Sequence, residues 1–116
     1  MRTPLIATFV AALAMATPLA APSLAVAQAP AAATASVKID NFVFGPAVLT
    51  IKVGTTVTWT NNDDVPHAVV SDDHTTFKSK VLDTDQSFSF TFTKPGQYPY
   101  FCSIHPHMTG KVVVQG

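Results

Sequence analysis

Apolar residues recur at every second position through short stretches of this chain, and polar turn residues separate the stretches. Val37 and Ile39 alternate with Lys38, while Phe42 and Phe44 alternate after a shift of phase and end at Gly45-Pro46. Leu49, Ile51 and Val53 follow up to Gly54, and Val57 and Trp59 carry the pattern into Asn61-Asn62-Asp63-Asp64, a polar run whose two acids read as turn chemistry. A period of two is that of a strand with one buried face. His67-Ala68-Val69-Val70 is a short strand candidate after Pro66, whereas Ser71 to Asp85 is mostly polar around Phe77, Val81 and Leu82. Further on, Phe88, Phe90 and Phe92 share one face, and Lys94-Pro95-Gly96-Gln97 places Pro and Gly where a type II turn wants them. Tyr98, Tyr100 and Cys102 then share a face on the return strand of the predicted hairpin, and Lys111 to Gln115 closes the chain. No segment has the length and periodicity of a helix. Seven or eight strands in roughly 80 residues predict an all-β sandwich with antiparallel pairing.

The front of the chain obeys a different rule. Met1 to Ala27 contains one charged side chain, Arg2, then the apolar run Leu5 to Ala16 and the small-residue pattern Ala25-Val26-Ala27. A charged tip, a short apolar centre and an A-x-A end describe a secretory signal peptide, and the run is too short to span a bilayer. Residues 28–35, QAPAAATA, have no periodicity and read as a flexible tether, which puts the domain at 36–116. Cutting after Ala27 leaves 89 of the 116 residues, expected to be soluble without inserting into a membrane. They carry six Lys against seven Asp, with no Arg and no Glu. That balance offers no basic stripe to a phosphate backbone, so nucleic-acid binding is disfavoured, and it offers no polybasic patch to a membrane surface.

One cysteine, Cys102, stands alone in a chain addressed to an oxidising compartment, where small domains use disulfides in pairs. It opens the run Cys102-Ser103-Ile104-His105-Pro106-His107-Met108, and His67 follows Pro66 upstream. Two imidazoles and a thiolate in a trigonal set, with a long thioether bond on the axis, make a blue-copper electron-transfer site. Soft sulfur donors suit Cu(I) and imidazole serves both oxidation states, so the mixed set holds both. Three of the candidate ligands fall within seven residues, and Pro106 pushes His105 away from helical angles into a tight turn. His67 lies 35 positions before Cys102 and must arrive from a neighbouring strand end. Taken singly, each has a plainer reading: Cys102 and Met108 as core filler, His67 as a loop residue, His105 as a surface residue. Their joint spacing favours a metal. Bound only to the folded state, a metal also stabilises a domain this small. His107, between ligand candidates, is expected to be exposed, and His74 in Asp72-Asp73-His74 reads as a solvated loop rather than a second metal site.

With these residues in place, Pro66-His67, Phe88 to Phe92, and Pro95 through Gly110 with its C-x-x-H-x-x-M loop resemble the cupredoxins, most closely the amicyanin and plastocyanin/azurin relatives. The resemblance runs from Val37 to Val114. It implies His67, Cys102, His105 and Met108 as ligands of one type 1 copper, in a periplasmic Greek-key sandwich of eight strands that shuttles single electrons. Two positions depart from the family pattern. Ala68 replaces the Asn that often follows the first His ligand and ties the two ligand loops together. Ile104 replaces a frequent Pro and restores a backbone N–H, a donor expected to reach the Cys102 sulfur, favour the reduced form and make Ile104→Pro lower the potential.

Three functions compete on these residues. The first is a mobile one-electron carrier acting as a monomer with transient redox protein partners, meeting them at the His105-Pro106-His107 edge. Another is copper binding for delivery, without an electron-transfer role. A third, an enzyme with Cys102 as nucleophile and His67 or His105 as base, lacks an orienting residue and an oxyanion motif. The non-enzymatic carrier is the expectation.

Overall fold

The structure is a computed structural model, and it describes residues 33–116; the expected leader and the tether up to residue 32 lie outside the described residues. Eight strands follow in order: β1 (Thr34–Asp40), β2 (Val43–Gly45), β3 (Val48–Lys52), β4 (Thr56–Asn61), β5 (Val70–Ser71), β6 (Ser87–Thr91), β7 (Gly96–Phe101) and β8 (Thr109–Gln115). Strand β1 begins two residues inside the segment expected to be tether. The strands form two four-stranded sheets, ordered β2-β1-β4-β6 and β3-β8-β7-β5. No helix among the described residues is long and apolar enough to cross a membrane.

Each sheet contains one parallel pair, β1 with β4 and β3 with β8, so the pairing is mixed rather than purely antiparallel. A second expectation also changes. Strands β6 and β7 do not form a hairpin: β6 pairs with β4 in one sheet, and β7 pairs with β5 and β8 in the other. The Pro95-Gly96 connection carries the chain across the sandwich, with Gly96 at φ 151° instead of the value a type II turn requires. Period-two patterning reports which face is buried, and it is blind to which neighbour supplies the hydrogen bonds.

That facial reading holds well. Strand β4 buries Val57, Trp59 and Asn61 while turning Thr56, Thr58 and Thr60 outward. On the outer face those three hydroxyls meet Thr91, Ser89 and Ser87 of β6 at 2.7, 2.7 and 2.9 Å, a cross-strand polar ladder. Inside, Trp59 lies 5.5 Å from the rings of both Phe77 and Tyr100. Val37, Ile39, Phe44, Leu82, Phe92, Cys102 and Val112 complete the same core.

Strands β7 and β8 matter most for the site, because their ladder leads into the loop between them. Tyr100 faces Gly110 across this pair, and its ring occupies the position a Cβ at 110 would take, with Cζ and the hydroxyl oxygen far inside van der Waals contact. Gly110→Ala is therefore expected to force the buried ring or the strand aside and to destabilise the domain by about 1–3 kcal/mol. Urea denaturation checks this, and an unchanged midpoint would count against it.

Candidate metal centre

The β7–β8 ladder runs one step beyond the strands, with the Cys102 N–H donating to the Met108 carbonyl at 3.0 Å. Inside this closure the His105 N–H donates to the Cys102 carbonyl at 3.2 Å and the Met108 N–H to the His105 carbonyl at 2.9 Å. The short loop is thereby folded upon itself, and its spacing sends Cys102 and Met108 inward. Cys102 is fully buried, Met108 is 6% exposed, His105 is half-buried and His107 is exposed, as expected for it.

His67 reaches the same place from the β4–β5 connection. Its backbone is pinned on both sides by Leu82, with the His67 N–H donating to the Leu82 carbonyl at 3.1 Å and the Leu82 N–H returning at 2.7 Å. Asn61 organises the loop before it. The buried amide donates to the Val65 and Leu82 carbonyls, both at 2.9 Å, and accepts the Asp63 N–H at 2.9 Å.

The Cys102 Sγ lies 3.7 Å from His67 Nδ1 and 3.7 Å from His105 Nδ1. Donor atoms of the three residues all fall within 4.8 Å of one another. Bond lengths of about 2.0–2.1 Å to nitrogen and about 2.3 Å to sulfur, ordinary for a divalent first-row ion, at trigonal angles separate S from N by about 3.8 Å. The observed spacing therefore accepts one ion among the three donors. Met108, buried on the same loop, carries the thioether that the sequence offers as a fourth candidate donor.

His67 uses its other ring nitrogen to fix this arrangement. Nε2 lies 2.9 Å from Asp63 Oδ2 in the interior, so a proton at Nε2 donates to the carboxylate and leaves the Nδ1 lone pair facing the sulfur. The hydrogen bond from His67 is the largest influence holding the Asp63 carboxyl below its ordinary pKa; burial opposes it, and the Phe42 and Asp64 N–H groups add to it. Asp63 was expected to be turn chemistry only. Its sequence signal, an acid four residues before a histidine, is indistinguishable from a polar loop without the fold.

Phe42 was also missed. It was expected in a strand, but Asn41 and Phe42 form the two-residue turn between β1 and β2, at φ 52° and 61°. The Phe42 ring stands edge-on to His67 and His105, with centroids 5.5 and 5.1 Å away.

Of the two departures noted in sequence, Ala68 supplies a tie of its own. Its backbone N–H donates to Cys102 Sγ at 3.3 Å and joins the two candidate ligand loops without a side chain. The donor expected from Ile104 is this one instead, so Ile104→Pro leaves the sulfur's hydrogen bond intact and the predicted drop in potential loses its basis. His74 is exposed at φ 61° with its ring edge-on to Phe101. The neighbouring Asp73 carboxylate accepts from the Ser71 hydroxyl at 2.6 Å, from the Thr75 and Thr76 N–H groups at 2.9 Å, and from the Thr76 hydroxyl. These bonds, the one from Ser71 foremost, hold its carboxyl well below the usual carboxylate range and occupy it in loop structure.

A cupredoxin-like domain model matches residues 5–114 of this chain. Amicyanin-alpha of Methylorubrum extorquens is 41% identical over 98 residues, covering 78% of this chain and 79% of its own length. A chloroplastic plastocyanin of Tetradesmus obliquus is 40% identical over 85 residues, covering 63% of this chain and 59% of its own. Among solved structures, a purple cupredoxin from Nitrosopumilus maritimus superposes with a TM-score of 0.66 at 39% identity, covering 70% of this chain and 99% of that one. The cofactor of this site is one type 1 copper ion, consistent with the donor set and its spacing. The chain belongs to the cupredoxins, as a blue copper electron-transfer protein similar to the amicyanins and plastocyanins.

Proposed function

We propose that this protein is a periplasmic one-electron carrier that cycles between Cu(I) and Cu(II), with His67, Cys102, His105 and Met108 as the copper ligands. The observation that carries the reading is the convergence of the Cys102 Sγ with two imidazole Nδ1 atoms at 3.7 Å, within a frame of backbone hydrogen bonds. Copper, when bound, supplies the redox couple. The chain's own residues do the rest. Cys102 and His67 lie buried and pinned by Ala68, Leu82 and Asp63, which limits rearrangement between oxidation states and so favours fast transfer. His105 is half-buried at the edge of the molecule, beside exposed Pro106 and His107. That edge is where transient redox partners would come within range, through the small, weak contacts typical of electron-transfer encounters.

The export reading rests on the leader pattern of Met1 to Ala27. A nucleophilic enzyme is disfavoured because Cys102 is fully buried. The test is the visible and electron-spin-resonance spectra of the purified protein with Cu(II) added, followed by voltammetry. An intense visible charge-transfer band with a reversible one-electron wave is the expected result. Colourless protein that binds Cu(I) and hands it readily to a chelator would establish copper delivery instead.

A further inference from the structure

Type I′ hairpin turns need positive φ at both central residues, and the sequence that satisfies them best is Asn-Gly. Here the pair is Asn41-Phe42, at φ 52° and 61°. Asn tolerates the left-handed region well, whereas a bulky aromatic residue there is an outlier that the surrounding structure must hold in place. Phe42 is moreover 49% exposed, so core burial does not account for a phenyl ring at this strained position.

Its contacts do. Asp63 Oδ2 accepts the Phe42 N–H at 3.1 Å and, with the same oxygen, bonds His67 Nε2 at 2.9 Å. The turn is thus tied through one carboxylate oxygen to the buried imidazole. From that anchor the phenyl ring stands edge-on to both His67 and His105, at interplanar angles of 87° and 89°. The two imidazoles themselves lie 4.9 Å apart, so Phe42 bridges the pair on the side of the β1–β2 turn. A glycine would satisfy the backbone and leave both rings without this wall.

We propose that Phe42 is a positioning residue for the metal centre, its strained turn being retained so that one ring, registered by Asp63, sets the attitude of both imidazoles. The inference rests on the reading of His67 and His105 as ligands. Hydrogen-bonded partners of metal ligands are typically worth about ten- to a hundredfold in metal affinity, and the apolar shell around a site acts on its redox potential through dielectric and solvent access. Loss of the ring need not weaken Cu(I) and Cu(II) equally. A tenfold change in the ratio of their binding constants corresponds to about 59 mV in a one-electron potential.

The experiment compares Phe42→Gly, Phe42→Leu and Phe42→Tyr, metal-free and copper-loaded. In the metal-free proteins, His67 and His105 ring resonances are expected to shift and broaden for Gly and Leu and to return to the parental values for Tyr. In the copper-loaded proteins, Gly and Leu are expected to change the copper hyperfine splitting and to move the potential by about the amount above, again with recovery in Tyr. Leu keeps an apolar side chain at the same backbone position, so it tests the ring even if Gly alters the turn. Parental ring resonances and an unmoved potential in both Gly and Leu variants would overturn the proposal, and so would failure of Tyr to restore them. Should added copper leave the His67 and His105 resonances of the parent protein untouched, the ligand reading itself fails, while the metal-free comparison still decides what Phe42 does to the imidazoles.

Discussion

Replacing Cys102 with Ser is expected to abolish the intense visible band of the copper-loaded protein and to cut Cu(I) affinity by more than about a hundredfold. The bound on affinity follows from comparison, since groups that merely support metal ligands are already worth about ten- to a hundredfold. Cys102 Sγ stands between the two imidazole Nδ1 atoms and is the soft, charge-donating member of the set when deprotonated. A serine hydroxyl is hard and stays protonated, so neither the charge transfer nor the preference for the reduced ion survives. The fold should survive. The hydroxyl occupies nearly the same place and accepts the Ala68 N–H that the sulfur accepts now, at the cost of placing a more polar group in a fully buried position. A loss of about 1–3 kcal/mol in the metal-free protein is expected from that burial. Absorption spectra, a competition titration with a Cu(I) chelator and urea denaturation test the three parts separately. A band of parental intensity in the variant would remove Cys102 from the site.

The buried faces and the C-x-x-H-x-x-M loop were legible in the sequence because both signals are local. Val57 and Trp59 alternate with threonines, and Cys102, His105 and Met108 crowd one short loop, so their grouping needs no knowledge of the rest of the fold. Pairing is not local. Strands β6 and β7 are adjacent in sequence and separated by a good turn signal, yet they lie in opposite sheets. Each has its own partners elsewhere, and no pattern within either strand records them. Phe42 was hidden by its own character: an aromatic residue beside Phe44 reads as strand, and only the tertiary ties to Asp63 and the two imidazoles hold it in a turn conformation that its side chain disfavours. Ala68 shows the converse case. A side-chain pattern cannot reveal a tie that the backbone makes, as the Ala68 N–H does to the sulfur.

Removing the Asp63 carboxylate is expected to lower copper affinity about ten- to a hundredfold in Asp63→Ala, with Asp63→Asn falling between that variant and the parent. The carboxylate performs two tasks through one oxygen, orienting His67 and anchoring the Phe42 turn. Without it, the Nε2 proton of a fully buried imidazole has lost its acceptor, and the ring gains by rotating or by moving the proton to Nδ1, which blocks the lone pair that faces Cys102. An unsatisfied buried donor costs about 1–3 kcal/mol, so the metal-free protein should be destabilised by that order as well. Asparagine retains an acceptor oxygen but not the charge, and so preserves the turn better than it preserves the preference for the Nε2–H tautomer. The two tasks can then be separated by nitrogen-15 chemical shifts, which report the tautomer of His67 directly. If Asp63→Ala binds copper as tightly as the parent and keeps the Nε2–H tautomer, the ring is oriented by its pinned backbone and by Phe42 alone, and the carboxylate serves only the loop.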